Sequence, residues 1–213
     1  MPDMRDSEAL IEALTHDLRP VARVAPVWRR VMVWAPVALG LGFLATRMLH
    51  RFATDWASAH AVISAANVAL SLTLGLAIFA ASLSISMADG RVRGKGWIMG
   101  GLAAWLVLAM VSMALSPRLI SFQRGVGSYC FTFVLTAGAP MILVAIAALR
   151  RTRSLNPGRS LTVAGAGVAF MAFGLLGFCH PAEMSMTDFV AHLLAALVLG
   201  GITVLAGRPL IRA

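Results

Sequence analysis

Residues 128–180 read SYCFTFVLTAGAPMILVAIAALRRTRSLNPGRSLTVAGAGVAFMAFGLLGFCH and contain both cysteines of the chain. Two apolar runs, Cys130–Leu149 and Leu161–Phe178, flank a short turn that carries four arginines. Each run is long enough to cross a hydrocarbon layer of ~30 Å at a rise of ~1.5 Å per residue. The stretch therefore predicts a membrane hairpin of two helices, whose far ends bring Cys130 and Cys179 to the same depth at one membrane surface.

The composition of the whole chain agrees with this reading. Hydrophobic residues make up 59% of the 213 residues, charged residues only 13%, and the mean hydropathy is +0.83. These values exclude an ordinary soluble domain and indicate an integral membrane protein whose main partner is the lipid bilayer. The formal charge of +9 would suggest nucleic acid in a soluble chain. Here the arginines stand at the ends of apolar runs, so no direct nucleic-acid contact is expected.

Six apolar runs predict the fold class, an all-α integral membrane protein with six transmembrane helices over residues 31–207. The predicted domain boundaries are an N-terminal segment over residues 1–30 and a short tail over residues 208–213. The runs are Val31–Met48, Val62–Met87, Trp97–Leu115, Cys130–Leu149, Leu161–Phe178 and Phe189–Ala206.

The distribution of positive charge predicts the orientation. Of the 18 lysines and arginines, 14 lie on the side of the two termini, and four lie on the other side, at Arg47, Arg51, Arg118 and Arg124. Because cytoplasmic loops carry the excess of Lys and Arg, both termini are expected in the cytoplasm. Both cysteines then face the outer side of the membrane.

Small residues predict where the helices pack closely. Ala65, Ala69, Thr73, Ala77 and Ala81 recur every four residues in the second run, and the fifth run holds Gly165, Gly167, Gly174 and Gly177. Such stripes allow transmembrane helices to approach each other closely. Both are expected to lie in ordinary helix interfaces of the bundle.

The N-terminal segment predicts an amphipathic helix. Leu10, Leu14 and Leu18 recur every four residues, Ile11 flanks them, and Pro20 ends the pattern. Its polar face is acidic, which argues against anionic lipid as the sole partner. A docking helix for a soluble cytoplasmic protein and a helix packed on the protein's own loops remain the two alternatives.

The cysteines are the main candidates for chemistry. Thiols on the outer side of a bacterial-type inner membrane meet an oxidising compartment, so Cys130 and Cys179 form a candidate redox pair. With His180 they also form a candidate site for a soft metal. The alternative is that they are buried, inert hydrophobes. Further donors follow at Met184, Met186, Asp188 and His192. No phosphate loop, CxxC or hydrolase motif is present, so neither an enzyme nor a bound cofactor is expected.

Taken in order, these features resemble the NrsF-like family of six-span anti-sigma factors, named as negative regulators of sigma F. The resemblance rests on LIEALTHDLRPV at residues 10–21, on the two outer cysteines, and on CHPAE at residues 179–183 followed by Phe189 and His192. It covers nearly the whole chain. One departure is His180, which stands between Cys179 and Pro181 where the family pattern has Cys-Pro.

The resemblance implies a regulator of the bacterial inner membrane. Such a protein holds an extracytoplasmic-function sigma factor and frees it when heavy metal or oxidant acts on the cysteine pair. Carried onto this chain, the sensor is Cys130 with Cys179. The alternatives are a membrane thiol oxidoreductase and a small metal or solute transporter. The implied partner-binding residues are Leu10, Ile11, Leu14, Asp17, Leu18, Arg19 and Pro20.

Overall fold

The computed structural model describes residues 4–16, 24–49, 54–87, 90–92, 94–115, 126–152, 154, 156–180 and 184–212. Within these ranges the chain is helical and contains no strand. Six of the helices, α2 to α7, are long and apolar enough to cross a membrane, which confirms the predicted multi-pass fold. The helices are α1 (Met4–His16), α2 (Val27–Ala45, continued by a 3₁₀ turn at Thr46–Met48), α3 (Ala61–Ile85), α4 (Lys95–Ala114), α5 (Val126–Arg150), α6 (Pro157–Leu176) and α7 (Met186–Arg212).

One proline begins a helix, and three others lie inside helices. Pro157 begins α6, where a missing amide proton costs nothing because the first helical N–H groups have no partner within the helix. Pro36 and Pro140 lie inside α2 and α5. α7 continues through Pro209 to Arg212, so the predicted tail over residues 208–213 is helical as far as Arg212.

The bundle has a central group of α3, α5, α6 and α7, with α2 packed mainly on α5 and α4 packed mainly on α3. Two contacts mark one end of the bundle: Arg30 Nη2 donates to the carbonyl oxygen of Ala148 at 3.2 Å, and the Thr152 hydroxyl donates to Ser86 Oγ at 3.0 Å. We call it the arginine end, because the basic turn after α5 lies there. The opposite end, which holds Cys130 and Cys179, is called the cysteine end.

Glycines form the closest helix contact, between α3 and α6. A Cβ atom added to Gly167 would lie 2.9 Å from the backbone nitrogen of Phe79, and one added to Gly75 would lie 2.7 Å from the backbone nitrogen of Met171. A Cβ atom added to Gly165 would lie 2.9 Å from the Cα atom of Gly200 in α7. The prediction that the glycines of α6 lie in helix interfaces is confirmed.

The prediction that the alanine stripe of α3 lies in a close helix interface is wrong. Ala65, Ala69 and Thr73 are exposed, and Thr73, Ala77 and Ala81 line an open groove between α2 and α4. The face of α3 that meets α6 is instead the one with Gly75 and Phe79. Periodicity found small residues but did not indicate which face of the helix the neighbouring helix covers.

Candidate functional site

Both cysteines lie at the cysteine end and are buried. Cys130 is in the second turn of α5 and is 1% exposed, while Cys179 follows the end of α6 and is 7% exposed. Neither forms a disulfide. Cys130 contacts Asp188, and Asp188 lies 3.8 Å from His180, the residue directly after Cys179. Both cysteines therefore lie at one end of the α5–α6 hairpin, as predicted.

Asp188 is the residue that ties Cys130 to the start of α7. The Cys130 thiol donates to Asp188 Oδ1, with a sulfur–oxygen distance of 3.4 Å. The other carboxylate oxygen, Oδ2, accepts from the backbone nitrogen of Ser185 at 3.2 Å and from its hydroxyl at 2.7 Å. The Asp188 amide in turn donates to Ser185 Oγ at 3.2 Å. This reciprocal pairing is a capping box, in which Ser185 caps α7 and Asp188 is its third residue.

His180 approaches the same carboxylate from the loop between α6 and α7. Its Nε2 atom lies 3.8 Å from Asp188 Oδ2, and its side chain is buried. The hydroxyl of Thr54 lies 2.7 Å from the carbonyl oxygen of His180 and 2.9 Å from that of Gly177. Thr54 comes from the connection between α2 and α3, so this connection holds the His180 backbone while the start of α7 contacts its side chain.

Replacing Thr54 with valine is expected to loosen this loop. The two side chains have nearly the same shape, but valine has no hydroxyl. The buried carbonyl oxygen of His180 and the part-buried one of Gly177 lose that donor at a cost of about 1–3 kcal/mol. The midpoint of thermal unfolding in detergent measures the effect. Thr73→Val is the matched control, because the exposed Thr73 hydroxyl bonds only to carbonyls of its own helix, at Ala69 and Leu70. Equal midpoints for the two variants would contradict the role given to Thr54.

A small cavity of about 50 Å³ adjoins the cluster. His192 Nδ1 is in contact with the backbone carbonyl oxygen of Asp188, and its ring lies 6.0 Å from that of His180. The sequence places Asp188 and His192 one turn apart, and the contact between them goes through the backbone rather than the carboxylate. The lining combines polar and aromatic side chains, among them Ser64, Asn67, Trp105, Phe173, His180, Met184 and His192.

One group of side chains could hold a metal ion. Cys130 Sγ, one ring nitrogen of His180 and one carboxylate oxygen of Asp188 all lie within 4.8 Å of one another. Of the three predicted metal residues, this group contains Cys130 and His180, and Asp188 takes the place of Cys179. Sequence reasoning noted Asp188 but did not assign it, although the Ser-x-x-Asp pattern at residues 185–188 indicates a capped helix start.

The residues predicted to bind a partner divide into two sets. Leu10, Ile11 and Leu14 lie on α1 and are 60%, 60% and 61% exposed, so the apolar face of this helix is uncovered. The others lie outside the described residues and are Asp17, Leu18, Arg19 and Pro20.

No protein-family model, curated protein or solved structure matches the chain.

Proposed function

We propose that this protein is an anti-sigma factor of the bacterial inner membrane. It holds an extracytoplasmic-function sigma factor through the N-terminal segment and releases it when metal or oxidant acts on Cys130 and Cys179. The observation that carries the proposal is the uncovered apolar face of α1, which precedes the arginine end of a bundle whose cysteine end contains the buried Cys130 and Cys179. A surface for sequestering a partner and the two thiols then lie at opposite ends.

The orientation follows from charge. Among the described residues, most of the lysines and arginines lie toward the arginine end, and cytoplasmic loops of membrane proteins are enriched in Lys and Arg. With this end and both termini in the cytoplasm, α1 meets soluble cytoplasmic proteins. The thiols of Cys130 and Cys179 then face the outer, oxidising compartment.

α1 has the surface that a docking helix needs. Leu10, Ile11 and Leu14 form one apolar face, while Glu8 and Glu12 make the other face acidic. An amphipathic helix of this kind binds by placing its apolar anchors in a groove of the partner. Acidic side chains disfavour an anionic lipid surface, so a protein groove is the better partner.

α5 connects the two ends. Cys130 lies near its beginning, and the carbonyl oxygen of Ala148 near its end accepts from Arg30 of α2. The helix between these residues is about 27 Å long at 1.5 Å per residue. A change in the bonding of Cys130 that moves α5 also moves the contact to α2, and α2 follows the N-terminal segment in the chain. The signal acts only if it favours one packing of α5 over the other.

Co-purification tests the proposal. The full-length chain, solubilised from membranes of its own organism, should retain a sigma factor identified by mass spectrometry, and a transcriptional reporter for that sigma factor should be silent. Cadmium or a thiol oxidant should release the sigma factor and activate the reporter. Absence of a sigma factor from the purified protein, with the reporter indifferent to deletion of the gene, would overturn the proposal.

A further inference from the structure

We propose that Cys130, His180 and Asp188 form a binding site for one divalent ion of the zinc group, Zn²⁺ or Cd²⁺, and that Cys179 is not a ligand. Binding of the ion does not depend on the anti-sigma function, but its regulatory meaning rests on that proposed function. The site differs from a pair of thiols because its donors are one sulfur, one nitrogen and one oxygen atom.

The spacing of the donor atoms fits such an ion. Zinc bonds of about 2.3 Å to sulfur and about 2.0–2.2 Å to nitrogen or oxygen place tetrahedral ligand atoms about 3.4–3.6 Å apart. Cys130 Sγ and Asp188 Oδ1 are 3.4 Å apart, which agrees with this spacing. All three residues offer a ligand atom within 4.8 Å of the others. The widest pair has to close by about 1.4 Å at most.

The donor set selects the class of ion. Thiolate and imidazole suit zinc and its softer congener cadmium, whereas Mg²⁺ and Ca²⁺ prefer sites made of oxygen ligands. A mixed set with a single thiolate still provides two negative charges, from Cys130 and Asp188. These charges match the charge of the ion, which matters in a buried position where an unpaired charge is costly.

The surroundings hold the ligands in place. Asp188 Oδ2 is occupied by two donors from Ser185, so Oδ1 is the oxygen that remains for an ion once the thiol proton has left. Thr54 positions the backbone of His180. Such outer partners orient metal ligands, and their loss typically weakens affinity 10- to 100-fold.

Binding exchanges a proton for the ion. The Cys130 S–H bond breaks, its proton goes to solvent, and the sulfur–metal bond takes the place of the hydrogen bond to Asp188 Oδ1; no electrons are transferred. The adjoining cavity of about 50 Å³, which His180 lines, is large enough for a water molecule, since ~10–15 Å³ of such space is sufficient. A water molecule there would supply a fourth ligand.

Titration of the reduced, full-length protein in detergent with Cd²⁺ tests the site. The thiolate-to-cadmium absorption band reports sulfur ligation, competition with a chelating dye gives the affinity, and a pH indicator counts released protons. We expect one ion per chain and about one proton released from Cys130. Cys130→Ser should remove the absorption band, and Asp188→Asn should weaken binding at least tenfold.

Cys179→Ser tests the statement that Cys179 is not a ligand, because it removes the second thiol of the proposed sensor pair and leaves the three ligands intact. Its band and affinity should equal those of the wild type. A loss in Cys179→Ser as large as that in Cys130→Ser, or wild-type affinity in Asp188→Asn, would overturn the proposed ligand set.

Ser185→Ala provides a second variant that keeps all three ligands. It should bind at least tenfold more weakly while the absorption band persists, and its thermal unfolding midpoint shows whether it is folded. Unchanged affinity in folded Ser185→Ala would contradict the positioning role of Ser185. The titration uses no sigma factor, so a failure here is distinguishable from a failure of the co-purification test.

Discussion

Aspartate at both Leu10 and Leu14 is expected to free the sigma factor from the membrane. The two leucines are exposed anchors on one face of α1, and truncating a central apolar anchor commonly costs ~2 kcal/mol or more of binding free energy. A carboxylate in the same groove adds a desolvation cost. We expect the affinity of the sigma factor for the full-length protein to fall at least about 100-fold. Titration with purified sigma factor measures this, and the reporter should become active without any stress.

Ala9→Asp is the matched control for this experiment. Ala9 is exposed on the opposite side of α1, so its substitution adds a negative charge without removing an anchor. We expect sigma factor binding within about threefold of the wild type. Equal release by Ala9→Asp, or unchanged binding of the doubly substituted Leu10 and Leu14 variant, would show that α1 does not dock through its apolar face.

Leucine at Gly167 is expected to disrupt the bundle. Even a Cβ atom at this position would meet the backbone nitrogen of Phe79 at 2.9 Å and the backbone oxygen of Gly75 at 3.1 Å. Backbone atoms cannot rotate away, so α3 and α6 would have to separate along their contact. Overpacking typically costs ~1–3 kcal/mol, and a leucine against backbone should exceed that range. We expect loss of folded protein in detergent, or a thermal unfolding midpoint at least about 5 °C lower.

Gly100→Leu separates this packing effect from the general effect of a larger side chain. Gly100 is exposed on α4, and no atom lies within 4 Å of a Cβ atom built there. Its unfolding midpoint should stay close to that of the wild type. Comparable stability of the two leucine variants would contradict the close α3–α6 packing.

Hydropathy and charge were sufficient to predict the six membrane helices and the shared end of the α5–α6 hairpin. A run of about twenty apolar residues has few alternatives to a spanning helix, since every backbone polar group must be satisfied within the bilayer. The same reasoning placed Cys130 and His180 at one end of the bundle. This placement depends only on the length of each span and on the number of times the chain crosses the membrane.

Side-chain pairing was not predictable in the same way. Asp188 became part of the cluster because the capping box with Ser185 turns its carboxylate toward Cys130. That direction depends on how α7 packs against α5, which no short pattern encodes. The alanine stripe of α3 shows the same limit, because periodicity does not tell which helix, if any, covers a given face.

Inverted membrane vesicles, with the cytoplasmic face outward and the sigma factor bound to it, allow the most direct test of signalling from one end of the bundle to the other. Cd²⁺ is loaded into the vesicle lumen or added outside, with an impermeant chelator on the opposite side. We predict that lumenal Cd²⁺ releases the sigma factor, that external Cd²⁺ does not, and that Cys130→Ser abolishes the release. Release by external Cd²⁺ alone, or lumenal release that persists in Cys130→Ser, would contradict the account.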